Sequence, residues 1–253
     1  MTDIAASAER IDEAARTATA VAQFEEGFSE ADAYRIQAAS IERRLSRGER
    51  RIGMKMGFTS RAKMVQMGVH DMIWGRLTDA MLVEEGGSLD LSRYVHPRVE
   101  PEIAFLIGKP LAGTVSLLEA QAAIAGIAPA MEIIDSRYEN FKFSLGDVIA
   151  DNASSSGLVV GPWNAPDSSI ENLGMIMSFD GVPVQIGSSA AILGHPLRAL
   201  VAAARLVAQG GESLSPGDIV LAGAATSAEA LKPGVQVRLE VQRLGSIEFG
   251  VRK

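Results

Sequence analysis

The chain has 253 residues, which is long enough to bury a sizeable core as one large domain or two small ones. Its formal net charge of −7 gives no support to nucleic-acid binding, which relies on basic surfaces. The absence of cysteine excludes disulfides and thiolate metal sites, and charge or glycine interrupts the apolar stretches before they reach the length of a membrane span.

The first 50 residues are predicted to form a helical segment. Apolar residues recur at helical spacing from Ile4 to Ala22. A second helix is expected from about Glu30 to Leu45, with Ser29 as its N-cap and Gly48 as its stop. Early acidic residues and the lack of a continuous apolar stretch argue against a signal peptide, and the lack of cysteine fits a reducing compartment, so a cytoplasmic location is expected.

Strand-like segments dominate from residue 51 onward. The sequence RIGMKMGFTS, residues 51–60, predicts a strand with glycine bends that carries Lys55 in an apolar setting. Residues 60–68 predict a short helix capped by Ser60, and the stretch that follows predicts a pair of strands around Gly75. We therefore expect a helical segment over residues 1–50 and a strand-rich domain over residues 51–253.

The segment VHPRVEPEIAF, residues 95–105, places two glutamates inside an apolar strand. Side chains at i and i+2 of a strand share a face, so Glu100 and Glu102 are expected to lie side by side. Two buried carboxylates repel each other, and a divalent cation would relieve that repulsion. The alternative is a solvated strand face that happens to carry two glutamates.

The second half of the chain predicts a mixed or antiparallel sheet. A helix over residues 116–124 precedes a buried strand over residues 127–134, and residues 151–157, DNASSSG, predict a polar turn between two apolar strands. The dipeptide Asp180-Gly181 predicts a hairpin, and a further helix is expected after Pro196. Strands outnumber helices and do not alternate regularly with them, which favours an α+β fold.

Several other catalytic patterns are absent from the sequence. The histidines His70, His96 and His195 are scattered and show no zinc-binding spacing. There is no GxSxG nucleophile motif, no phosphate-binding loop with its lysine and no GxGxxG after a strand. Carboxylate chemistry remains as the main candidate.

The segments KMGFTSRAKMVQMGV, HPRVEPEIAF, EIIDSRYENFKF and VIADNASSS, in this order, resemble the fumarylacetoacetate hydrolase superfamily. Within that superfamily they are similar to the branch of 2-oxopent-4-enoate hydratases and 4-oxalocrotonate decarboxylases of aromatic meta-cleavage pathways. The resemblance covers nearly the whole chain. It implies a twisted β-roll core, a Mg²⁺ or Mn²⁺ ion, and a 2-oxo acid bound through its carboxylate and keto oxygens.

The resemblance also implies roles for individual residues. It assigns the metal to Glu100, Glu102 and Glu132, with Asp135 as a fallback for the third ligand. It matches Lys55 to the active-site lysine of the family, although an ordinary salt bridge is the alternative role. The residues expected to bind substrate are Lys55, Asn152, Ser154 and Ser155 from this resemblance, together with His195 and Thr226, which lie in glycine-bounded loops expected to close on the substrate.

The resemblance favours decarboxylation of 4-oxalocrotonate to 2-hydroxypenta-2,4-dienoate. Hydratases of this branch typically carry an aspartate before an aromatic-glycine pair, whereas here Ile73 precedes Trp74-Gly75. Asp71 lies two residues away and could substitute if the loop is shifted. A hydratase and a non-catalytic scaffold subunit remain the alternatives. We also expect homo-oligomerisation and association with the pathway hydratase.

Overall fold

Two helices open the chain in the computed structural model, which describes residues 2–60, 64–65, 71–166 and 169–253. Helix α1 spans Ile4–Thr17 and α2 spans Glu30–Ser46. Helix α1 is shorter than predicted, because Ala18 adopts a left-handed conformation and Val21 forms a β-bridge with Tyr138. The N-cap of α2 is confirmed, since the Ser29 hydroxyl accepts the backbone N–H of Asp32.

The rest of the described chain is built mainly from strands. They are β1 Arg51–Gly57, β2 Ile73–Thr78, β3 Ser88–Asp90, β4 Arg98–Ile107, β5 Ile124–Ile134, β6 Ser155–Val160, β7 Gly174–Phe179, β8 Val182–Ser188, β9 Ile219–Leu221, β10 Glu229–Ala230, β11 Gln236–Val241 and β12 Gly245–Arg252. One sheet has the order β2-β1-β9-β4-β5-β6, with β10 also paired to β4. The second sheet has the order β3-β12-β11-β7-β8. Parallel and antiparallel pairs occur in both sheets, so the predicted mixed α+β architecture is confirmed.

Three further helices lie wholly within the described residues and connect these strands: α3 Leu117–Ala122, α4 Leu145–Ala150 and α5 Leu197–Gln209. Helix α4 was not predicted, and it directly precedes the DNASSSG turn that was expected to join two strands. The predicted strand pair around Gly75 is wrong, because Gly75 lies inside the single strand β2. The helix predicted over residues 60–68 and His70 lie largely or wholly outside the described residues.

The N-terminal helices pack on the strand region through apolar side chains and one buried amide. The Gln37 side chain on α2 donates hydrogen bonds to the carbonyls of Trp74 on β2 and Ile149 on α4, at 3.0 and 2.8 Å. The division into residues 1–50 and 51–253 stays a prediction. Within the described part of the chain, every helix is too short or too polar to cross a lipid bilayer.

Candidate metal centre and active site

Three glutamates meet where β4 pairs with β5. Glu100 and Glu102 share one face of β4, as the alternation predicts, and the antiparallel register places Glu132 of β5 directly opposite Glu100. All three side chains are buried, and one carboxylate oxygen from each lies within 4.8 Å of the others. Among the described residues, this is the group of carboxylates whose geometry could hold a metal ion.

The segment between β9 and β10 runs beside β4 next to these carboxylates. Both strands pair with β4, and between them the backbone N–H groups of Ala222 and Ala225 donate to carbonyls of β4 at 2.9 Å. The backbone N–H of Gly223, in the same segment, donates to the Glu102 carboxylate at 2.7 Å. Gly223 has φ +103°, and a Cβ there would lie 2.0 Å from Thr59 Oγ1, so this position requires glycine.

The carboxylate cluster carries more negative charge than the surrounding groups neutralise among the described residues. Glu102 Oε1 and Glu132 Oε1 are buried and have no hydrogen-bond partner among the described residues. Burial, followed by repulsion from Glu132 and Glu100, raises the pKa of Glu102 well above its ordinary value. Burial also raises the pKa of Glu132 to about 6, although Lys55 opposes the shift. Hard carboxylate oxygens without partners are suited to a divalent cation.

Lys55 on β1 provides a cation beside this cluster. Its Nζ lies 2.9 Å from Glu132 Oε2 and donates a hydrogen bond to the carbonyl of Ala153 at 3.0 Å. Burial alone would lower the pKa of Lys55, but the carboxylates of Glu132, Glu100 and Glu102 outweigh that effect and raise it. The ammonium group is therefore held protonated at the edge of the glutamate cluster.

A cavity of about 250 Å³ leads to the cluster at Glu100. Its remaining walls come from the end of β1, the loop before α5 and the loop after β9: Met56, Gly57, Phe58, Thr59, Ser60, Ala191, Ala224, Ala225, Thr226 and Ser227. The predicted substrate-binding residue Thr226 thus lies in the same cavity as a predicted metal ligand. Thr59 and Gly223 were not predicted, and the only signal for Gly223 was a glycine directly after a strand.

The other predicted site residues have different surroundings. Asn152 and Ser155 line a separate polar cavity of about 270 Å³ next to the N-terminal helices. The Ser155 hydroxyl is buried near the Glu132 carboxylate but makes no hydrogen bond of good geometry. His195 Nδ1 accepts the backbone N–H of Leu197 at the start of α5. Substrate contact by Asn152, Ser154, Ser155 and His195 stays a prediction.

The fallback ligand Asp135 is used elsewhere in the structure. Its two carboxylate oxygens accept the backbone N–H groups of Val95 and His96, and it is not part of the three-carboxylate group. Glu132 therefore occupies the third position beside Glu100 and Glu102. Both oxygens of Asp135 already have backbone donors, so this acid needs no cation to satisfy them.

The structure also shows where Ile73 and Asp71 lie, the two residues on which the choice between hydration and decarboxylation depends. Ile73 is buried in β2 opposite Gly57, whose backbone lines the cavity, and it packs among apolar side chains. Asp71 is exposed and accepts a hydrogen bond from Arg205 Nη2 at 2.8 Å. The carboxylate of Asp71 is thus held at the surface, and the buried position before Trp74 carries an apolar side chain.

Comparisons with known proteins agree with the predicted family. The family described as fumarylacetoacetate (FAA) hydrolase C-terminal matches residues 54–252. A 4-oxalocrotonate decarboxylase from a Pseudomonas species is 62% identical over 96% of this chain and 95% of its own. A 2-keto-4-pentenoate hydratase from Paraburkholderia xenovorans is 36% identical over 85% of this chain and 81% of its own.

A solved structure matches the fold over almost the whole chain. The 4-oxalocrotonate decarboxylase from Pseudomonas putida G7, complexed with magnesium and adipate, superimposes with a TM-score of 0.96. It covers 99% of this chain and 98% of its own, at 37% sequence identity. The fold class expected from the sequence is confirmed by this match. The chain belongs to the fumarylacetoacetate hydrolase family.

Proposed function

We propose that this protein is a divalent-metal-dependent decarboxylase of 4-oxalocrotonate (2-oxohex-3-enedioate) in aromatic meta-cleavage catabolism. The observation that carries the choice of reaction is the 62% identity, over nearly the full length of both chains, to a 4-oxalocrotonate decarboxylase. The buried glutamate cluster with Lys55 beside it provides the charges that such a reaction needs.

Glu100, Glu102 and Glu132 are the residues that would hold Mg²⁺ or Mn²⁺. Their unpartnered buried oxygens and all-carboxylate chemistry fit a hard cation. When bound, the ion supplies Lewis-acid stabilisation for the negative charge that develops on the 2-oxo acid. The structural neighbour with magnesium and adipate, a linear dicarboxylate of six carbons, supports both the metal and the size of the substrate.

The chain's own groups handle charge and protons during the reaction. The bond between C5 and the distal carboxylate breaks, carbon dioxide leaves, and the electron pair spreads along the conjugated chain to the 2-oxygen. Lys55 stabilises that charge with its ammonium group and delivers the one proton that converts the dienolate to 2-hydroxypenta-2,4-dienoate. Met56, Phe58 and Ala225 contribute apolar side chains to the wall of the cavity, beside the polar groups of Thr59 and Thr226.

Hydration of 2-hydroxypenta-2,4-dienoate is the second candidate, because hydratases are among the relatives. A hydratase needs an acid or base to handle water and a carbon-bound proton. Ile73 can do neither, and Asp71 is paired with Arg205 at the surface. These two positions support the decarboxylase. A non-catalytic scaffold subunit is the third candidate, and its thermal stability would not depend on Mg²⁺.

The two reactions can be separated in one assay series. Purified protein with Mg²⁺ is given 2-oxohex-3-enedioate or 2-hydroxypenta-2,4-dienoate, while dienol absorbance and trapped carbon dioxide are followed. We expect rapid carbon dioxide release from the first substrate and much slower hydration of the second. Rapid formation of 4-hydroxy-2-oxopentanoate without carbon dioxide release would identify a hydratase instead.

Assembly and location belong to the same proposal. We expect a homo-oligomer that associates with the pathway hydratase in the cytoplasm. The exposed side chains of Val182 and Ile186 on the edge strand β8 support an interaction surface there. Light scattering of the protein alone, and of an equimolar mixture with the hydratase, would test both associations.

A further inference from the structure

The turn before β6 has an unusual backbone. Asn152, Ala153 and Ser154 are consecutive, none is glycine, and their φ angles are 52°, 51° and 61°. Left-handed conformations are unfavourable for L-residues and normally occur singly. Such strain persists only where the surrounding structure enforces it, and it concentrates at functional sites.

The side chain of Asn152 fixes this turn to β2. Its Oδ1 accepts the backbone N–H of Arg76, and its Nδ2 donates to the carbonyl of the same residue, both at 2.8 Å. Gly75 allows the close approach, because a Cβ there would lie 2.4 Å from the Asn152 carbonyl oxygen. In the sheet register Gly75 is directly opposite Lys55. The turn therefore packs against β2 at Gly75, the residue that pairs with Lys55 of β1.

The turn directs one carbonyl at the lysine. Lys55 Nζ donates to the Ala153 carbonyl at 3.0 Å and lies 2.9 Å from Glu132 Oε2. A lysine side chain is long and flexible, so its ammonium group takes a defined position only when such partners fix it. The position of the Ala153 carbonyl depends on the left-handed turn, which the Asn152 side chain links to the backbone of Arg76 by two hydrogen bonds.

We propose that Asn152 is a positioning residue that holds the Lys55 ammonium group through the Ala153 carbonyl, in place of the substrate contact that the resemblance implies for it. This inference rests on the proposed function, in which Lys55 stabilises and protonates the dienolate. Both polar atoms of the Asn152 side chain are already engaged by the Arg76 backbone, which leaves little capacity for a substrate oxygen.

Asn152→Gly is the primary test, because glycine keeps the left-handed backbone and removes both side-chain hydrogen bonds. We expect kcat for decarboxylation to fall about tenfold, while KM and the Mg²⁺ dissociation constant stay within about twofold. Asn140→Gly is the matched control, since Asn140 is also left-handed, at φ 59°, and is exposed. The control should keep full activity. If Asn152→Gly does not fold, Asn152→Asp keeps the acceptor and removes the donor.

A double-mutant cycle with Lys55→Ala separates positioning from direct contact. If Asn152 acts through Lys55, Asn152→Gly should cause little further loss of kcat in the Lys55→Ala background. A residue that touches substrate independently would lower activity by the same factor in both backgrounds. Additive losses would overturn the proposal.

Chemical labelling of lysines gives a readout that does not depend on turnover. An amine-reactive reagent with peptide mass spectrometry should modify Lys55 slowly in the wild type, relative to exposed Lys109, and faster in Asn152→Gly. If the wild type has no decarboxylase activity but Lys55 is still labelled faster in Asn152→Gly, the proposed function is refuted and the positioning role is retained. Unchanged labelling with unchanged kcat would refute the positioning role alone.

Discussion

Two buried groups of charged side chains differ in how their charges are balanced. In the first, the carboxylate oxygens of Asp151 accept N–H groups of Arg137, and Asp135 accepts two backbone N–H groups. In the second, three glutamates share Lys55, and two of their oxygens have no partner among the described residues. Every carboxylate oxygen of the first group has a donor, although burial raises the pKa of Asp151 to about 6, whereas the second group leaves buried oxygens that a cation could satisfy. The following variants test that difference.

The largest effect is expected from neutralising a metal ligand. Glu100→Gln or Glu102→Gln should lower Mg²⁺-dependent kcat/KM by at least about 1,000-fold, about 4 kcal/mol of transition-state stabilisation, because the site loses a carboxylate ligand. Steady-state assays with and without chelator measure the loss, and circular dichroism checks the fold. If each variant had the same activity with and without chelator, the three-glutamate proposal would be wrong.

Neutralising the balanced group should cost stability instead. Asp151→Asn leaves the buried Arg137 guanidinium without its counter-charge, so the free energy of unfolding should fall by about 3 kcal/mol. Urea denaturation of the variant and the wild type measures this difference in the free energy of unfolding. A change below about 1 kcal/mol would show that this ion pair is not the balanced structural unit described above.

Lys55→Ala should lower kcat about 100-fold, because the ammonium group is needed as the dienolate forms. The Mg²⁺ dissociation constant, measured by calorimetry, should change far less than kcat. Lys55→Arg should restore little activity, since a guanidinium group does not readily release a proton. An alanine variant with full activity would assign Lys55 to an ordinary salt bridge with Glu132.

Mg²⁺ affinity should depend on pH near the raised pKa of Glu132, which is about 6. A proton on the Glu132 carboxylate competes with the ion, so affinity should fall at least about tenfold per pH unit below this pKa. Glu102, whose pKa is also raised, extends this proton competition to higher pH. Calorimetry in buffers of different ionisation enthalpy would also detect proton release on binding at acidic pH. Constant affinity from pH 5 to 8 would contradict the assignment of Glu132 as a ligand.

The smallest effect concerns the metal-free protein. Glu102→Gln removes a buried charge whose pKa is raised, while the amide oxygen can still accept the Gly223 N–H. We expect metal-free unfolding to become less favourable by about 1 kcal/mol, the usual size of a point-substitution effect, because the repulsion from Glu132 and Glu100 is relieved. Thermal melts in chelator measure this change. A loss of stability as large as that of Asp151→Asn would show that groups of the protein already balance the charge of Glu102.

Strand periodicity explains how much of the site was predictable. The spacing of Glu100 and Glu102 fixes a shared face in any strand, so their proximity follows from the sequence alone. Glu132 came from family resemblance, because the register that places it opposite Glu100 is a long-range property of the sheet. Gly223 could not be predicted, since its role depends on the path of the segment between β9 and β10 beside β4.

The turn at Asn152 shows a second limit. The sequence DNASSSG indicated a polar loop, and it gave no sign of the left-handed backbone or of helix α4 before it. Helix α4 has six residues, all of them buried except Leu145, so it shows no amphipathic period. The hairpin at Asp180-Gly181, in contrast, is confirmed with positive φ at both residues, because its signal is entirely local.

Anomalous diffraction from crystals soaked in Mn²⁺ tests the central claim most directly. The unbalanced glutamate cluster should hold one Mn²⁺ ion in contact with Glu100, Glu102 and Glu132, and the group around Asp135 and Asp151 should hold none. An anomalous peak at Asp135 or Asp151, or no peak at the glutamates under saturating Mn²⁺, would contradict the account.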